Sequence, residues 1–251
     1  MDIKIKKYIK FCCLSICVVV IIVISFFLLW YPSYYNYVLI WKKTLGLVLL
    51  VNIGVGPLIA LFIFNYQNIS VRHGLAGIVL IQSAVLVISV AVIFYSRPVF
   101  TVFNVDRFTV VTANEIPPIE MNKVPQLSLP MTGPQFMAAK FPTNHKEREQ
   151  ILFSSLDSGV DLAQMPQYYL PYVQFSETVK SRIQPLEKLI PLQPEEEQSK
   201  VKLLLAASLA KRGLLQKDVG FLPLEASAQD MTVLVKRDDA VVIDILPIAP
   251  W

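Results

Sequence analysis

Long apolar runs near the N-terminus constrain the fold of this chain more than any other feature of its sequence. Phe11 to Leu29 is apolar apart from two serines, and two further runs cover residues 44–64 and 74–95. A helix rises about 1.5 Å per residue, so each run is long enough to cross a hydrocarbon core of about 30 Å. The runs predict three transmembrane helices, at about residues 11–29, 44–64 and 74–95, in a membrane region of residues 1–96.

The distribution of charge predicts how this region is oriented. Residues 1–96 hold seven basic residues and one acid, a net charge of +6, whereas residues 97–251 hold 16 basic and 18 acidic residues, a net charge of −2. The overall charge of +4 therefore reflects the ends of the apolar runs and does not indicate nucleic-acid binding. Basic residues that flank membrane helices are found mainly on the cytoplasmic side. Four lysines precede the first apolar run, and this bias predicts a cytoplasmic N-terminus. We expect a multi-pass protein of the bacterial inner membrane with a periplasmic C-terminal domain.

Residues 97–251 have the pattern of an α+β domain. Arg97 to Val111 is rich in β-branched and aromatic residues and predicts the first strand, while Pro98 ends the helix before it. Helices are predicted from Asn144 to Leu156, from about Ser176 to Ile190 with Pro185 marking a break or a fresh start, and from Pro194 to Arg212, where Gly213 is the stop signal. Further strands are predicted at Gln135–Phe141, Phe221–Leu224, Met231–Lys236 and Ala240–Leu246, the last two joined by a hairpin turn.

The sequence shows no pattern of catalytic or metal-binding residues. His73 and His145 have no neighbouring nucleophile or acid that would suggest a triad, and Asp157 and Asp161 flank a glycine in what is more simply a helix-stop turn. The three cysteines all lie in the first apolar run, with no zinc-type spacing. We therefore predict no catalytic residue, no metal site, no cofactor and no enzymatic activity.

Polar and small residues inside the apolar runs are candidates for binding. Asn52 and Gln82 lie at similar depths in oppositely directed helices, so their amides could meet near the midplane. Gly56, followed by Pro57, forms a small-xxx-small pair with Ala60 that would let another helix approach closely. Packing of the three helices against each other is the simpler explanation; the alternative is that this face receives a transmembrane helix of another protein.

Asp106 and Arg107 are the second candidates, next to Arg97 and Pro98 in sequence. Adjacent residues on a strand point to opposite faces, so one of the two side chains needs a partner. A structural ion pair is the leading explanation, and contact with a client protein is the alternative.

Short motifs along the whole chain resemble a known family. They are YPSYY, VNIGVGPLIALFIF, IQSA, SRPVFTVFNVDRF, GPQ at Gly133–Gln135, MPQYYLPY, FLPLEA and the final Pro250–Trp251. Together they resemble the type IV pilin accessory proteins (the TfpX/TfpZ family), although Asn52 stands where that family is expected to carry an aspartate. The resemblance implies an inner-membrane accessory protein or chaperone that binds and stabilises a type IV pilin subunit before pilus assembly.

The resemblance also implies partners and a binding motif. The partners are the transmembrane helix of the major pilin, with its head domain as a further contact, and membrane lipid. The candidate pilin-binding or structural residues are Asn52, Gly56, Pro57, Gln82, Arg97, Pro98, Asp106 and Arg107. Two other functions stay open: a membrane-anchored enzyme that modifies pilin or envelope glycans, and a scaffold subunit of the pilus machine.

Overall fold

The chain divides into two compact units. The computed structural model describes residues 2–31, 71–157, 159–227 and 229–251, with Gly46, Leu50, Gly54 and Leu58 as single helical residues. In its described residues, the first unit holds two long helices, and the second unit holds Tyr31 and residues 98–251.

The two helices of the first unit are α1 (Asp2–Trp30) and α2 (Val71–Tyr95), and they pack against each other near the end of each. The rings of Trp30 and Phe94 lie 5.1 Å apart between centroids. Val23 of α1 and Ile93 of α2 are also buried. Burial of aromatic and branched side chains accounts for this contact.

The predicted membrane spans are corrected by the structure. Crossing a bilayer takes about 20 consecutive and predominantly apolar residues. Among the residues that the structure describes, none of the helices combines the length and the apolar character that a crossing requires. The three-span fold class and the multi-pass inner-membrane localisation are therefore wrong. Most of the second predicted run, residues 44–64, lies outside the described residues.

The second unit is a mixed β-sheet with helices. Its strands are β1 (Pro98–Asn104), β2 (Arg107–Thr112), β3 (Gln135–Ala139), β4 (Tyr169–Pro171), β5 (Gln184–Pro185), β6 (Val219–Glu225), β7 (Met231–Lys236) and β8 (Val242–Leu246). Its α-helices are α3 (Pro118–Met121), α4 (His145–Asp157), α5 (Ser176–Lys180) and α6 (Glu195–Arg212). Short 3-10 helices cover Leu162–Gln164, Pro166–Tyr168, Tyr172–Phe175, Leu186–Lys188 and Gln216–Asp218.

The strands are ordered β4-β3-β1-β2-β6-β7-β8, and β5 pairs with β6. The β1–β3 and β2–β6 pairs are parallel, and the other pairs are antiparallel. The predicted strands in β3, β6, β7 and β8 are confirmed. The predicted first strand is instead a hairpin, because the chain turns after Asn104 and returns as β2.

Two hydrophobic cores lie on one face of this sheet. In the first core, Val102 and Val111 of the sheet pack with Ile151 of α4. In the second core, Phe221 of β6 packs with Leu205 of α6. Both helices therefore cover the sheet where its strands present branched and aromatic side chains.

The parallel pairing of β2 with β6 explains why the two cores share a face. Thr109 and Glu225 are register partners, and residues two apart on a strand lie on the same face. Val111 of the first core and Phe221 of the second core follow this alternation. Arg107, two residues before Thr109, belongs to the same face at the end of β2.

Local signals set the helix boundaries. α6 follows Pro194 and ends before Gly213, whose φ of 64° is the left-handed conformation of a C-terminal stop, so this predicted helix is confirmed. Asn144 accepts a hydrogen bond from the Lys146 N–H at 3.0 Å at the start of α4, as predicted. The helix predicted from about Ser176 begins as α5 and ends at Lys180, and the break predicted at Pro185 is confirmed, because Pro185 lies in β5. A 3-10 helix at Leu186–Lys188 follows it.

Candidate functional site

Four of the predicted site residues come before residue 97 in the sequence. Asn52, Gly56 and Pro57 lie outside the described residues. Gln82 is half-buried on α2 and lines a cavity together with Leu14 of α1. The proposed meeting of the Asn52 and Gln82 amides stays a prediction.

Arg97 and Pro98 stand at the sequence boundary between the two units. The Arg97 Nη1 donates a hydrogen bond to the Phe94 carbonyl oxygen at 2.8 Å, and its guanidinium lies 3.7 Å from the centroid of the Phe94 ring. The Arg97 guanidinium therefore both binds a carbonyl at the C-terminal end of α2 and makes a cation–π contact. Pro98 begins β1 and pairs with Thr112. Both residues thus have structural roles at the end of α2 and the start of the sheet.

The turn between β1 and β2 holds Asp106 in an unusual backbone. Val105 has a φ of 60°, and the Asp106 N–H donates to the Asn104 carbonyl oxygen at 2.7 Å, which closes a three-residue turn around Val105. A β-branched residue rarely adopts this conformation because its Cβ meets the following carbonyl. The turn nevertheless presents Val105 with 49% of its surface exposed.

The turn changes how Asp106 and Arg107 relate to each other. Asp106 lies in the turn and not on a strand, so the prediction that the two side chains point to opposite faces is wrong. The Arg107 Nε donates to Asp106 Oδ1 at 3.0 Å. The structural ion pair expected for these residues is thus formed between the two themselves.

Glu225 and Arg107 are brought together by the β2–β6 pairing. Glu225 is the last residue of β6, and its register partner Thr109 shares a sheet face with Arg107. The Arg107 Nη1 and the Glu225 Oε2 are 3.9 Å apart, which is an ion pair but too long for a hydrogen bond. Glu225 therefore keeps acceptor capacity while it is held near the guanidinium.

Trp251 closes the group from the far end of the sequence. Its Nε1 donates to Asp230 Oδ2 at 3.0 Å, and the other oxygen of Asp230 accepts from the Ala226 N–H at 3.3 Å. The guanidinium carbon of Arg107 lies 5.1 Å from the centroid of the Trp251 ring, within cation–π range. The indole is thus oriented by Asp230 and covered in part by Arg107.

Two hydrogen bonds hold the backbone between β8 and Trp251 in place. The Thr232 hydroxyl donates to the Ile248 carbonyl oxygen at 2.8 Å. The Gln193 amide nitrogen donates to the Ala249 carbonyl oxygen at 2.6 Å, and Gln193 is buried. Because these side chains bind consecutive backbone carbonyls, they fix the direction in which Trp251 leaves the sheet.

We call this group the hairpin-tip surface. Its members are Val105, Asp106, Arg107, Glu225, Asp230 and Trp251. Its side chains are about half exposed, with 50% for Asp106, 40% for Arg107, 54% for Glu225 and 51% of the residue for Trp251. An ion pair of this exposure contributes little to stability, so the surface is better suited to binding than to holding the fold together.

The electrostatics of the surface are dominated by carboxylates. The pKa of Arg107 is raised, first by the hydrogen bond to Asp106, against the opposing effect of burial, and then by the charges of Asp106, Glu225 and Asp230. Three carboxylates thus act on one guanidinium, which leaves a net charge of −2 at the surface.

A buried amide lies beneath the turn. Asn104 is 7% exposed, and its Nδ2 donates a long hydrogen bond of 3.4 Å to Asp161 Oδ2. The Asn104 Oδ1 has no hydrogen-bond partner within the described part of the chain. Asp161 itself caps the 3-10 helix at Leu162–Gln164, with its carboxylate accepting from the Leu162 N–H at 2.7 Å. The aspartate pair around Gly159 is thereby explained in part as a capped turn.

Comparisons with known proteins agree with the resemblance at a coarse level. The chain is 26% identical over 235 residues to the fimbrial assembly protein, serogroup I, of Dichelobacter nodosus, covering 89% of this chain and 88% of that protein. It is 25% identical over 221 residues to the fimbrial assembly protein, serogroup E1, of the same organism, covering 84% of this chain and 82% of that protein. These names support a relation to type IV pilus proteins and do not single out the TfpX/TfpZ group.

No protein-family model matches the chain. No solved structure matches it either.

The sequence pointed to Asp106 and Arg107 but not to their partners. Glu225 lies in the FLPLEA motif and Trp251 in the final Pro250–Trp251 motif, but the sequence predicts no role for either, and Asp230 lies in none of the motifs. The available signal was that the VDRF, FLPLEA and final motifs each carry a charged or aromatic residue. Only the sheet topology brings these residues together.

Proposed function

We propose that this protein acts in type IV pilus assembly as a non-enzymatic accessory protein that binds a pilin subunit and stabilises it before assembly. Two relatives named fimbrial assembly protein support the assembly role, since they align with 89% and 84% of this chain. The binding of pilin is the further step, and it follows from the resemblance to pilin accessory proteins.

One observation carries the proposal. Three motifs of the resemblance, VDRF, FLPLEA and the final Pro250–Trp251, contribute side chains to the same exposed surface. The surface holds an oriented aromatic ring, an arginine and an exposed valine, which are suited to protein contacts. We therefore assign the contact with the client to the hairpin-tip surface.

The test is to produce the full-length tagged protein together with a type IV pilin. We expect the pilin to co-purify and its half-life after synthesis stops to lengthen several-fold. The double variant Arg107→Ala/Trp251→Ala should lose both effects. Leu203→Ala on α6, where 73% of the residue is exposed, is the matched control and should behave like the wild type. Equal pilin half-life with and without the protein, and no co-purification, would refute the proposal.

Two further experiments distinguish this function from that of a scaffold subunit and from that of an enzyme. A scaffold subunit of the pilus machine should work equally well after the pilin gene is exchanged for a foreign one, whereas a pilin-binding protein should fail with the foreign subunit. An enzyme should lose pilus formation sharply on a single substitution of His145, Asp157 or Asp161. Unchanged pilus formation in these three variants favours the non-enzymatic function.

A further inference from the structure

The hairpin-tip surface combines an aromatic ring with excess negative charge. Asp106 and Glu225 both pair with the Arg107 guanidinium and Asp230 holds the Trp251 indole, so three carboxylates and one guanidinium give the surface a charge of −2. Arg107 takes its closest contact from Asp106 at 3.0 Å, whereas Glu225 stands at 3.9 Å. Glu225 is therefore the carboxylate with the most capacity left for a partner, and 54% of its side chain is exposed.

The Trp251 ring is prepared to receive a second cation. Arg107 already lies over the ring at 5.1 Å, yet 51% of the residue stays exposed. The indole Nε1 is held by Asp230 at 3.0 Å, so the orientation of the ring is set before a partner arrives. A side chain that is already held in its binding orientation loses less conformational entropy on binding, so the entropic cost of binding is lower.

The unfilled hydrogen-bonding capacity here is that of acceptors. Glu225 offers carboxylate oxygens, because its contact with Arg107 at 3.9 Å is too long for a hydrogen bond. Acceptors near an aromatic face favour a partner that brings donors and positive charge. Val105, which precedes Asp106 in the turn and is 49% exposed, adds an apolar side chain to the surface.

We propose that the hairpin-tip surface binds a basic segment of its protein partner, with an arginine or lysine side chain stacked on Trp251 and paired with Glu225. This inference rests on the proposed function, because it takes the partner to be the pilin subunit and states the chemistry of the part that docks. Arginine suits the site better than lysine, since its planar guanidinium both stacks on a ring and pairs with a carboxylate through two N–H groups.

The test uses three synthetic peptides and the full-length protein. One peptide carries three arginines spaced by glycine and serine, one carries citrulline in their place, and one carries glutamate. Citrulline keeps the shape and removes the charge. With labelled peptides at low ionic strength, fluorescence anisotropy should show the arginine peptide binding about tenfold more tightly than the citrulline peptide. The glutamate peptide should not bind.

Substitutions test whether the preference for the arginine peptide over the citrulline peptide depends on the hairpin-tip surface. Glu225→Gln and Trp251→Ala should each reduce the preference for arginine to about twofold or less, as expected when one of two contacts is lost. Glu196→Gln makes the same change at an exposed carboxylate in the first turn of α6 and should leave the preference unchanged. Glu225→Gln keeps the test meaningful if Trp251→Ala perturbs folding, because Glu225 forms no short hydrogen bond with Arg107.

The outcomes separate this inference from the proposed function. Equal binding of the arginine and citrulline peptides, or a preference that survives in Glu225→Gln, overturns the basic-segment inference. If pilin nevertheless co-purifies equally with the wild type and with Glu225→Gln, the proposed function stands without it. If the peptide preference is found and depends on Glu225 but pilin never co-purifies, the proposed function fails, and the basic partner is a different protein.

Discussion

Gly220 on β6 gives the sharpest test of how the second unit is packed. A Cβ at this position would lie 2.2 Å from Cγ2 of Ile183 and 2.6 Å from the carbonyl oxygen of Gln184, both far inside ordinary contact distance. The Ile183 methyl group can rotate away. The Gln184 oxygen cannot, because it is backbone of β5, whose Pro185 pairs directly with Gly220.

We expect Gly220→Ala to force β5 away from β6. Overpacking of a close contact costs about 1–3 kcal/mol, and losing the short β5–β6 pairing costs about 1 kcal/mol for each hydrogen bond. The total is about 3 kcal/mol, which corresponds to about a hundredfold change in an opening equilibrium. Native-state hydrogen exchange of the full-length protein should show this as a loss of protection in peptides that cover β5 and β6.

Gly213→Ala is the matched control in the same unit. A methyl group added at Gly213 would meet no atom within 4 Å among the described residues, but the φ of Gly213 is 64°, so the substitution adds backbone strain without crowding. We expect it to cost about 1 kcal/mol and to act at the end of α6. Protection of β5 and β6 that is the same in Gly220→Ala as in the wild type or in Gly213→Ala would refute the reasoning from the close contact.

Two further predictions concern buried or half-buried polar contacts. Burial opposes ionisation of Asp244, but hydrogen bonds from Ser208 and Arg212 outweigh it and lower the pKa of Asp244 below the usual 3.8. The ionised carboxylate therefore stabilises the folded state above about pH 4, and this stabilisation is lost as the pH falls through the lowered pKa. Asp244→Asn should cost about 2 kcal/mol at neutral pH and remove this acid dependence, measured by urea unfolding at several pH values; an unchanged dependence would contradict the assignment. The Tyr172 hydroxyl donates to the Ala240 carbonyl oxygen at 2.6 Å, so Tyr172→Phe should cost about 1 kcal/mol in the same unfolding assay at neutral pH, and wild-type stability would show that this hydrogen bond contributes nothing.

The elements that could be predicted are those whose signals are local. α6 carries its start at Pro194, its acidic first turn and its glycine stop within its own sequence. β7 and β8 are likewise adjacent segments rich in β-branched residues and joined by a short turn. Each of these depends on neighbours a few residues away, which is the range over which sequence patterns act.

The elements that failed depend on partners far away in the sequence. A break at Pro185 was predicted from the proline itself, but the pairing of Pro185 with Gly220 of β6 was not, and no periodicity in residues 176–190 contains that information. The turn at Val105 was missed because neither of its two loop residues, Val105 and Asp106, is asparagine or glycine, and an Asn-Gly or Asp-Gly pair is the usual signal of a two-residue hairpin turn. The strand order also escaped, since β2 pairs in parallel with a strand more than a hundred residues later.

The hairpin-tip surface also depends on residues that are far apart in the sequence. Arg107 comes from the first hairpin, Glu225 from the end of β6 and Trp251 from the last residue of the sequence, so the surface exists only when β2 and β6 are paired and Ile248 and Ala249 are held by Thr232 and Gln193. Its side chains are half exposed and contribute little to holding those strands together. Stability and binding are therefore separable at this surface: changes at Gly220 should disturb both, whereas Glu225→Gln should alter binding and leave unfolding unchanged.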